Sequence, residues 1–359
     1  MFDRNFELHK AFWSRQDIGR PLLGINVGFT LQHRFPRLMK TISPGPMKPE
    51  AIRTDLFLQD CDNLYETHQN LGDYPFVSAP FVGIPWMEAI MGCPIMASPS
   101  SFWAEHYVDD WKNWHWQRPT IENPWAQKLL ELMTALVKHS NGRYPIAPTL
   151  MRGPSDILAA MRGGANLSLD IFDEPDLIRK VLKMCADVHI EVGKAQLVEI
   201  PDSSQGYMAG DAALRTWAPN KVVWLQEDAM ALLSPSLYTE FISPVDKRIS
   251  SEYSCTAFHL HGSALWAIDE LLQIPEIDVI ELNLEDASCD IEGTFEGWKK
   301  IQAHKPLVIW RMYGEDFEAW LKRVLREVPS NGLSIQISTN NNNEAEKTRQ
   351  VFFEVIKRY

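Results

Sequence analysis

The residues best placed to do chemistry together are His259 and His261, which flank Leu260 and precede Gly262 at the end of an apolar run that begins at Cys255. If that run is a strand, imidazoles at i and i+2 leave it on the same side. Both then reach one metal ion or one substrate, and neutral imidazoles are ordinary zinc ligands. Three further groups end neighbouring apolar runs: Glu227-Asp228, the stretch from Glu281 to Asp286, and Arg311 after Trp310. Carboxylates beside imidazoles are the material either of a metal site or of an acid/base pair. Asp286 could equally cap the helix after its strand, and Cys289 reads as a structural or incidental thiol rather than a third ligand. Arg152, ahead of Gly153-Pro154, ends another run. It either holds an anionic group together with the free N–H groups of the next helix or anchors its own loop.

Such groups meet only if the strands that carry them lie side by side. From about residue 145 onward, short apolar runs alternate with stretches of helical period, the signature of βα units. The runs are Tyr144–Leu150, Lys221–Leu225, Cys255–Leu260, Ile277–Leu284, Pro306–Trp310 and Gly332–Ser338, with helices such as Pro175–Val198 and Phe317–Val328 between them. No hairpin signal separates them, so the strands should be parallel and joined through helices. The economical solution is an α/β fold, a closed (β/α)8 TIM barrel formed by residues 1–359 as a single domain, with the reacting groups at the C-terminal ends of the strands. The first half adds Leu22–Val27 and Tyr74–Phe81 as strands and Pro49–Gln69 as a helix. Gly163-Gly164 reads as a helix C-cap rather than a phosphate loop, and Asn343 is expected to cap the last helix.

Residues 98–125 stand apart as an insertion or lid. Trp103, Trp111, Trp114, Trp116 and Trp125 lie there with His106 and His115. Tryptophans at this density need a partner surface, so a satellite core or an oligomer interface is the first reading and a lid over a ligand the second. Trp103, His106 and Trp217 join Arg152 and Arg311 as candidates for substrate contact.

Composition excludes several classes of function. Thirty-five Lys and Arg against 47 Asp and Glu give a formal charge of −12, which repels a phosphate backbone, and no basic stretch offsets it. The five cysteines are widely spaced and odd in number, neither a disulfide framework nor a zinc ribbon. With no apolar leader and no run of about 18 apolar residues, the expected location is the cytoplasm and no membrane contact is expected. The partner is then a small molecule.

The run Leu150-Met-Arg-Gly-Pro-Ser-Asp-Ile-Leu-Ala-Ala-Met-Arg-Gly163, the later Asp173-Glu-Pro-Asp-Leu177, Gln226-Glu-Asp-Ala-Met-Ala-Leu-Leu-Ser-Pro235 with Tyr238, Phe241 and Pro244, and finally His259-Leu-His261-Gly262 resemble, in this order, the uroporphyrinogen decarboxylase-like superfamily. The resemblance covers roughly residues 145 to 350. It implies a (β/α)8 barrel with its site at the C-terminal mouth. It does not settle the reaction: the superfamily includes cofactor-free decarboxylases of a polycarboxylate tetrapyrrole, corrinoid-linked methyltransferases that use zinc to activate a thiol, and many members of unassigned activity.

This chain departs from both branches. The Arg-Gln-Ala-Gly-Arg-Tyr of the decarboxylases is met only by Arg15-Gln16-Asp17-Ile18-Gly19-Arg20-Pro21, with an extra residue and no tyrosine. The His-x-Cys of the methyltransferases becomes His259-x-His261, and Leu333–Ser338 lacks their final cysteine. Fewer thiolates suit activation of a water or substrate oxygen better than of a thiol. The leading expectation is Zn²⁺-assisted methyl or one-carbon transfer on a small organic substrate. His259 and His261 would be metal ligands or an acid/base pair, and Glu227, Asp228 and Glu281 supporting carboxylates. Cofactor-free decarboxylation is the alternative, then a barrel that only binds; a homo-oligomer is compatible with each.

Overall fold

Apolar, β-branched runs bounded by helices make strands that are covered on both faces, and the computed structural model forms them where the alternation places them. It describes residues 5–69, 71–111, 114, 117–211, 214–284 and 290–359. In chain order the strands are β1 (Leu22–Val27), β2 (Gly45–Met47), β3 (Ile95–Ala97), β4 (Phe102–Ala104), β5 (Met151–Arg152), β6 (Tyr207–Ala209), β7 (Thr216–Ala218), β8 (Val222–Gln226), β9 (Cys255–Leu260), β10 (Val279–Leu282), β11 (Leu307–Met312) and β12 (Leu333–Thr339). Seven of them form one parallel sheet in the order β1-β12-β11-β10-β9-β8-β5. β2, β3 and β4 make a small antiparallel sheet, and β6 pairs with β7. Helices return the chain between parallel neighbours; the one at Phe317–Glu327 buries Phe317, Trp320, Leu321 and Val324 along one side.

Alternation along the strands sorts their side chains onto two faces. Val223, Leu225, Phe258, Leu260, Ile280, Leu282, Leu307, Ile309, Ile335 and Ile337 belong to the large core beneath the helices. The alternate positions Leu22, Val222, Trp224, Cys255, Ala257, Val279 and Val308 form a second cluster. Leu22 comes from one edge of the sheet and Val222 from near the other, so the sheet curls and the second cluster is its inner face. That cluster lies at the strand starts, where the β6–β7 hairpin adds Met208, Ala209, Trp217 and Ala218. Continuing the same alternation toward the strand ends puts Gln226, His259 and Glu281 on the inner face, followed by Asp228, His261 and Asn283.

Two expected strands are not regular strands. Within Tyr74–Phe81 and Tyr144–Leu150 the structure has a single parallel bridge, Ser78 to Ile146, and the strand proper is Met151–Arg152. Pro75, Pro80, Pro145 and Pro148 supply no N–H, so these segments cannot build a ladder. One side chain does part of its work, Arg215 donating to the carbonyls of Ile25 at 2.7 Å and Pro75 at 3.1 Å, beside a backbone bond from the Asp73 N–H to the Leu23 carbonyl at 2.7 Å.

The helix expected at Pro49–Gln69 is a 3-10 turn at Pro49–Ala51 followed by a helix at Thr54–Thr67, broken where Ile52 is extended. Gly163, at φ +87°, does end the Pro154–Arg162 helix. The last helix is capped by Asn341 rather than Asn343, its side chain accepting from the Glu344 N–H at 3.0 Å.

In the Trp-rich stretch, Trp111 is buried and its indole N–H donates to Asp170 at 2.8 Å. Trp114 meets Trp111 edge-on at 5.5 Å, and Trp125 meets Trp86 at 6.1 Å. Trp111 belongs to the large core, and Trp114 and Trp125 pack against it rather than forming a separate cluster; His115 and Trp116 lie outside the described residues. Among the described residues no helix is long and apolar enough to cross a membrane.

Candidate metal centre

Parallel register brings the ends of β8, β9 and β10 level: Gln226 and Glu281 both stand opposite His259. Glu281 is fully buried, and its carboxylate accepts the hydrogen bond from His259 Nδ1. With the proton held on Nδ1, the Nε2 lone pair of His259 faces the opening as an acceptor. There it lies 3.0 Å from His261 Nε2, which is itself 3.2 Å from Asp228 Oδ1. Asn283 Nδ2 lies 3.1 Å from His261 Nδ1, and Gln226 donates to Asp228 Oδ2, leaving Oδ1 turned to the histidines.

The ligand atoms of Asp228, His259 and His261 thus lie within 4.8 Å of one another. Two bonds of about 2.0–2.1 Å at a tetrahedral angle separate zinc ligands by about 3.3 Å. The 3.0 and 3.2 Å separations are close to that. Among the described residues, three nitrogen and oxygen donors with one imidazole oriented by a buried carboxylate resemble the protein ligands of catalytic zinc sites. The residues present fit such an ion.

The surroundings are strongly acidic. Burial pushes the Asp228 carboxyl up, but His261, His259 and Arg152 outweigh it and hold it below the usual carboxylate range. Asp156, fully buried, is pushed up to about 8 by desolvation and by the charge of Asp228. Arg152 faces these groups with its side chain half exposed and donates to the buried Glu88 at 2.9 Å. Burial disfavours its charge, but Glu88, Asp156 and Asp228 more than restore it.

Of the residues expected at the mouth, His259, His261, Asp228 and Glu281 come together, and Arg152 borders them. Glu227 does not. One position out of phase with Asp228, it faces the helices, where it accepts from the Ser155 N–H at 2.8 Å and from the Ser155 hydroxyl. Desolvation, with the charges of Asp246 and Asp156, lifts its carboxyl well above the usual range. Arg311 is out of phase with Trp310 in the same way; it is bound to Asp316 at 2.8 Å and lies over the Trp320 ring. Trp217 is buried at the opposite end of the strands, between Phe6 and Trp13, with its N–H on the Gln205 carbonyl. Trp103 is exposed on β4 and bonded to Glu105, and His106 is exposed beside it. Asp286 and Cys289 lie outside the described residues. Gln226 and Asn283 went unnoticed although each is two residues from a named carboxylate, the spacing that shares a face. Asp156 reads from the sequence only as a possible helix cap and Glu88 gives no signal, since their role depends on contacts far away in sequence.

No family model matches the sequence, and no curated protein matches it. Among solved structures, a methyltransferase from Methanosarcina mazei superposes with a TM-score of 0.62 over 98% of this chain and 97% of its own, at 14% identity. The two chains share a fold. The shared fold spans nearly the whole of both chains. A homocysteine methyltransferase from Escherichia coli in its metallated form aligns over 95% of this chain and 96% of its own at 11% identity, but with a TM-score of 0.42 it carries no argument.

Proposed function

We propose that this chain is an enzyme of the uroporphyrinogen decarboxylase-like superfamily that holds a divalent metal, Zn²⁺ by its donor set, on Asp228, His259 and His261. We propose that it transfers a methyl or one-carbon group to or from a small organic substrate. The observation that carries this is the convergence of three ligand atoms on the inner face of the strand ends, with Glu281 behind His259. When bound, the ion would supply Lewis-acid polarisation of a substrate heteroatom at neutral pH. The protein's own part is positioning. Glu281 fixes the His259 tautomer, Gln226 fixes the Asp228 rotamer, and Arg152 orients an anionic group of the substrate. The reading takes the sheet as a closed barrel, with Arg215 and the Ser78–Ile146 bridge completing the wall between β1 and β5. It places the protein in the cytoplasm, with a corrinoid protein as the methyl-carrying partner.

Methyl transfer is preferred over tetrapyrrole decarboxylation on a specific observation. Arg15 donates to the carbonyls of Gln302, Ala303 and His304, and Arg20 pairs with Asp73 at the start of β1. Neither arginine is available to bind a polycarboxylate at the mouth.

The test is elemental analysis of the purified protein beside a His259→Ala, His261→Ala double variant. About one zinc per chain in the parent, and none in a variant with an unchanged thermal melt, is the expected result. Absence of metal from the parent after growth in zinc would overturn the reading in favour of a Glu281–His259–His261 acid/base relay.

A further inference from the structure

The metal ligands take up only one side of the inner face. β8, β9 and β10 carry Asp228, His259, His261 and Glu281 there, whereas the inner positions of β11 and β12 are Val308, Trp310, Met312, Ser334, Gln336 and Ser338, without an ionisable group. The Trp310 indole is anchored on this side, its N–H donating to Ser338 Oγ at 2.9 Å. Phe29, in the loop directly after β1, stacks on that indole with ring centroids 5.5 Å apart and planes 24° from parallel. Phe29 is nevertheless 51% exposed. Phe29 thus holds an aromatic side chain open to solvent against a half-buried Trp310 at the C-terminal end of a parallel sheet, the end at which such sheets bind ligands.

From this pairing, and resting on the function proposed above, we infer that the substrate carries a planar aromatic ring, seated against Phe29 and Trp310, with its reacting heteroatom turned across the mouth toward Asp228, His259 and His261. Offset stacking favours a flat π-system over a saturated ring of equal size. The acidic surroundings of Arg152 leave that half of the mouth to the polar end of the same molecule.

The test compares phenol with cyclohexanol, which differ in planarity and π-character and little in size, by NMR titration of the intact protein. Phenol should bind at least fivefold more tightly, and the preference should disappear in Trp310→Ala and in Phe29→Ala; the exposed Phe29 makes the second variant safe if the first fails to fold. Equal binding of the two probes, no binding of phenol, or a preference unchanged by Phe29→Ala overturns the inference. The titration is repeated on the His259→Ala, His261→Ala protein, where the preference should persist. A ring preference without zinc would therefore overturn the metal reading alone, and zinc without a ring preference this inference alone.

Discussion

Glu281 acts through His259. Its buried carboxylate fixes where the imidazole keeps its proton, so Glu281→Gln, which preserves shape and loses charge, should lower zinc affinity about 10–100-fold in a chelator competition. Parental affinity would show that His259 is held by packing alone. Glu227 offers the opposite case. Burial and the charge of Asp246 lift its carboxyl well above the usual range and it faces the helices rather than the mouth, so Glu227→Gln should leave zinc stoichiometry unchanged and shift the urea midpoint by no more than about 1 kcal/mol equivalent. The sequence singled out both residues but could not separate them until strand phase was applied. A strand ending at Gln226 sends neighbouring carboxylates to opposite faces, and the same arithmetic removes Arg311 from the mouth. Glu88 lay beyond that logic, because its contact with Arg152 spans 64 residues.

The seam between β1 and residues 73–78 is the least regular part of the sheet and the part least legible in the sequence. Strands β8 to β12 announced themselves within a residue or two because a parallel strand buried on both faces is a continuous apolar run. The proline-broken segments did not, since their pairing is made by a side chain contributed from the β6–β7 hairpin. Arg215 is fully buried and lies over the Tyr74 ring while bridging the two carbonyls. Arg215→Met would leave both carbonyls and their surroundings unsatisfied and should cost about 3 kcal/mol or more in urea unfolding. Arg215→Lys, whose ammonium cannot fork between two acceptors, should recover only part of that loss. Parental stability in the Met variant would mean that the bridge and the Asp73 contacts close the seam unaided.

Over the whole chain, buried titratable groups pull stability in two directions. His9 and His189 are lowered to about 4 and His68 to about 3, chiefly by desolvation. Unfolded histidines take protons below about pH 6.5, so these three withdraw stability as pH falls below that point. Asp246 is raised to about 7, Asp156 to about 8 and Glu227 well above its usual range, again chiefly by desolvation. For a carboxyl the sign reverses: the folded chain holds protons that the unfolded chain has released above about pH 4, so these groups withdraw stability as pH rises toward 7 and 8. Between about pH 4 and 6.5 the two sets oppose one another, and above 6.5 only the carboxyls act. Thermal stability should therefore peak near pH 5–6.5 and fall by about 2 kcal/mol by pH 8, with the fall reduced in Asp246→Asn. A melting temperature still rising from pH 6.5 to 8 would contradict this balance.

The two-residue alternation that brings Asp228, His259 and Glu281 to one face also sets which kinds of change the gene can survive. Substitutions at outward positions such as Glu227 leave the phase of the strand alone. A codon gained or lost between Val222 and Asp228 does not: it would hand the mouth to Glu227 and turn Asp228 toward the helices. One inserted alanine after Val223 should abolish zinc binding, whereas the same insertion at exposed Ser203 should be silent. Length variation among descendants of this chain is then expected to gather in the helical returns and loops, with these few strand ends constant in length even where their side chains drift.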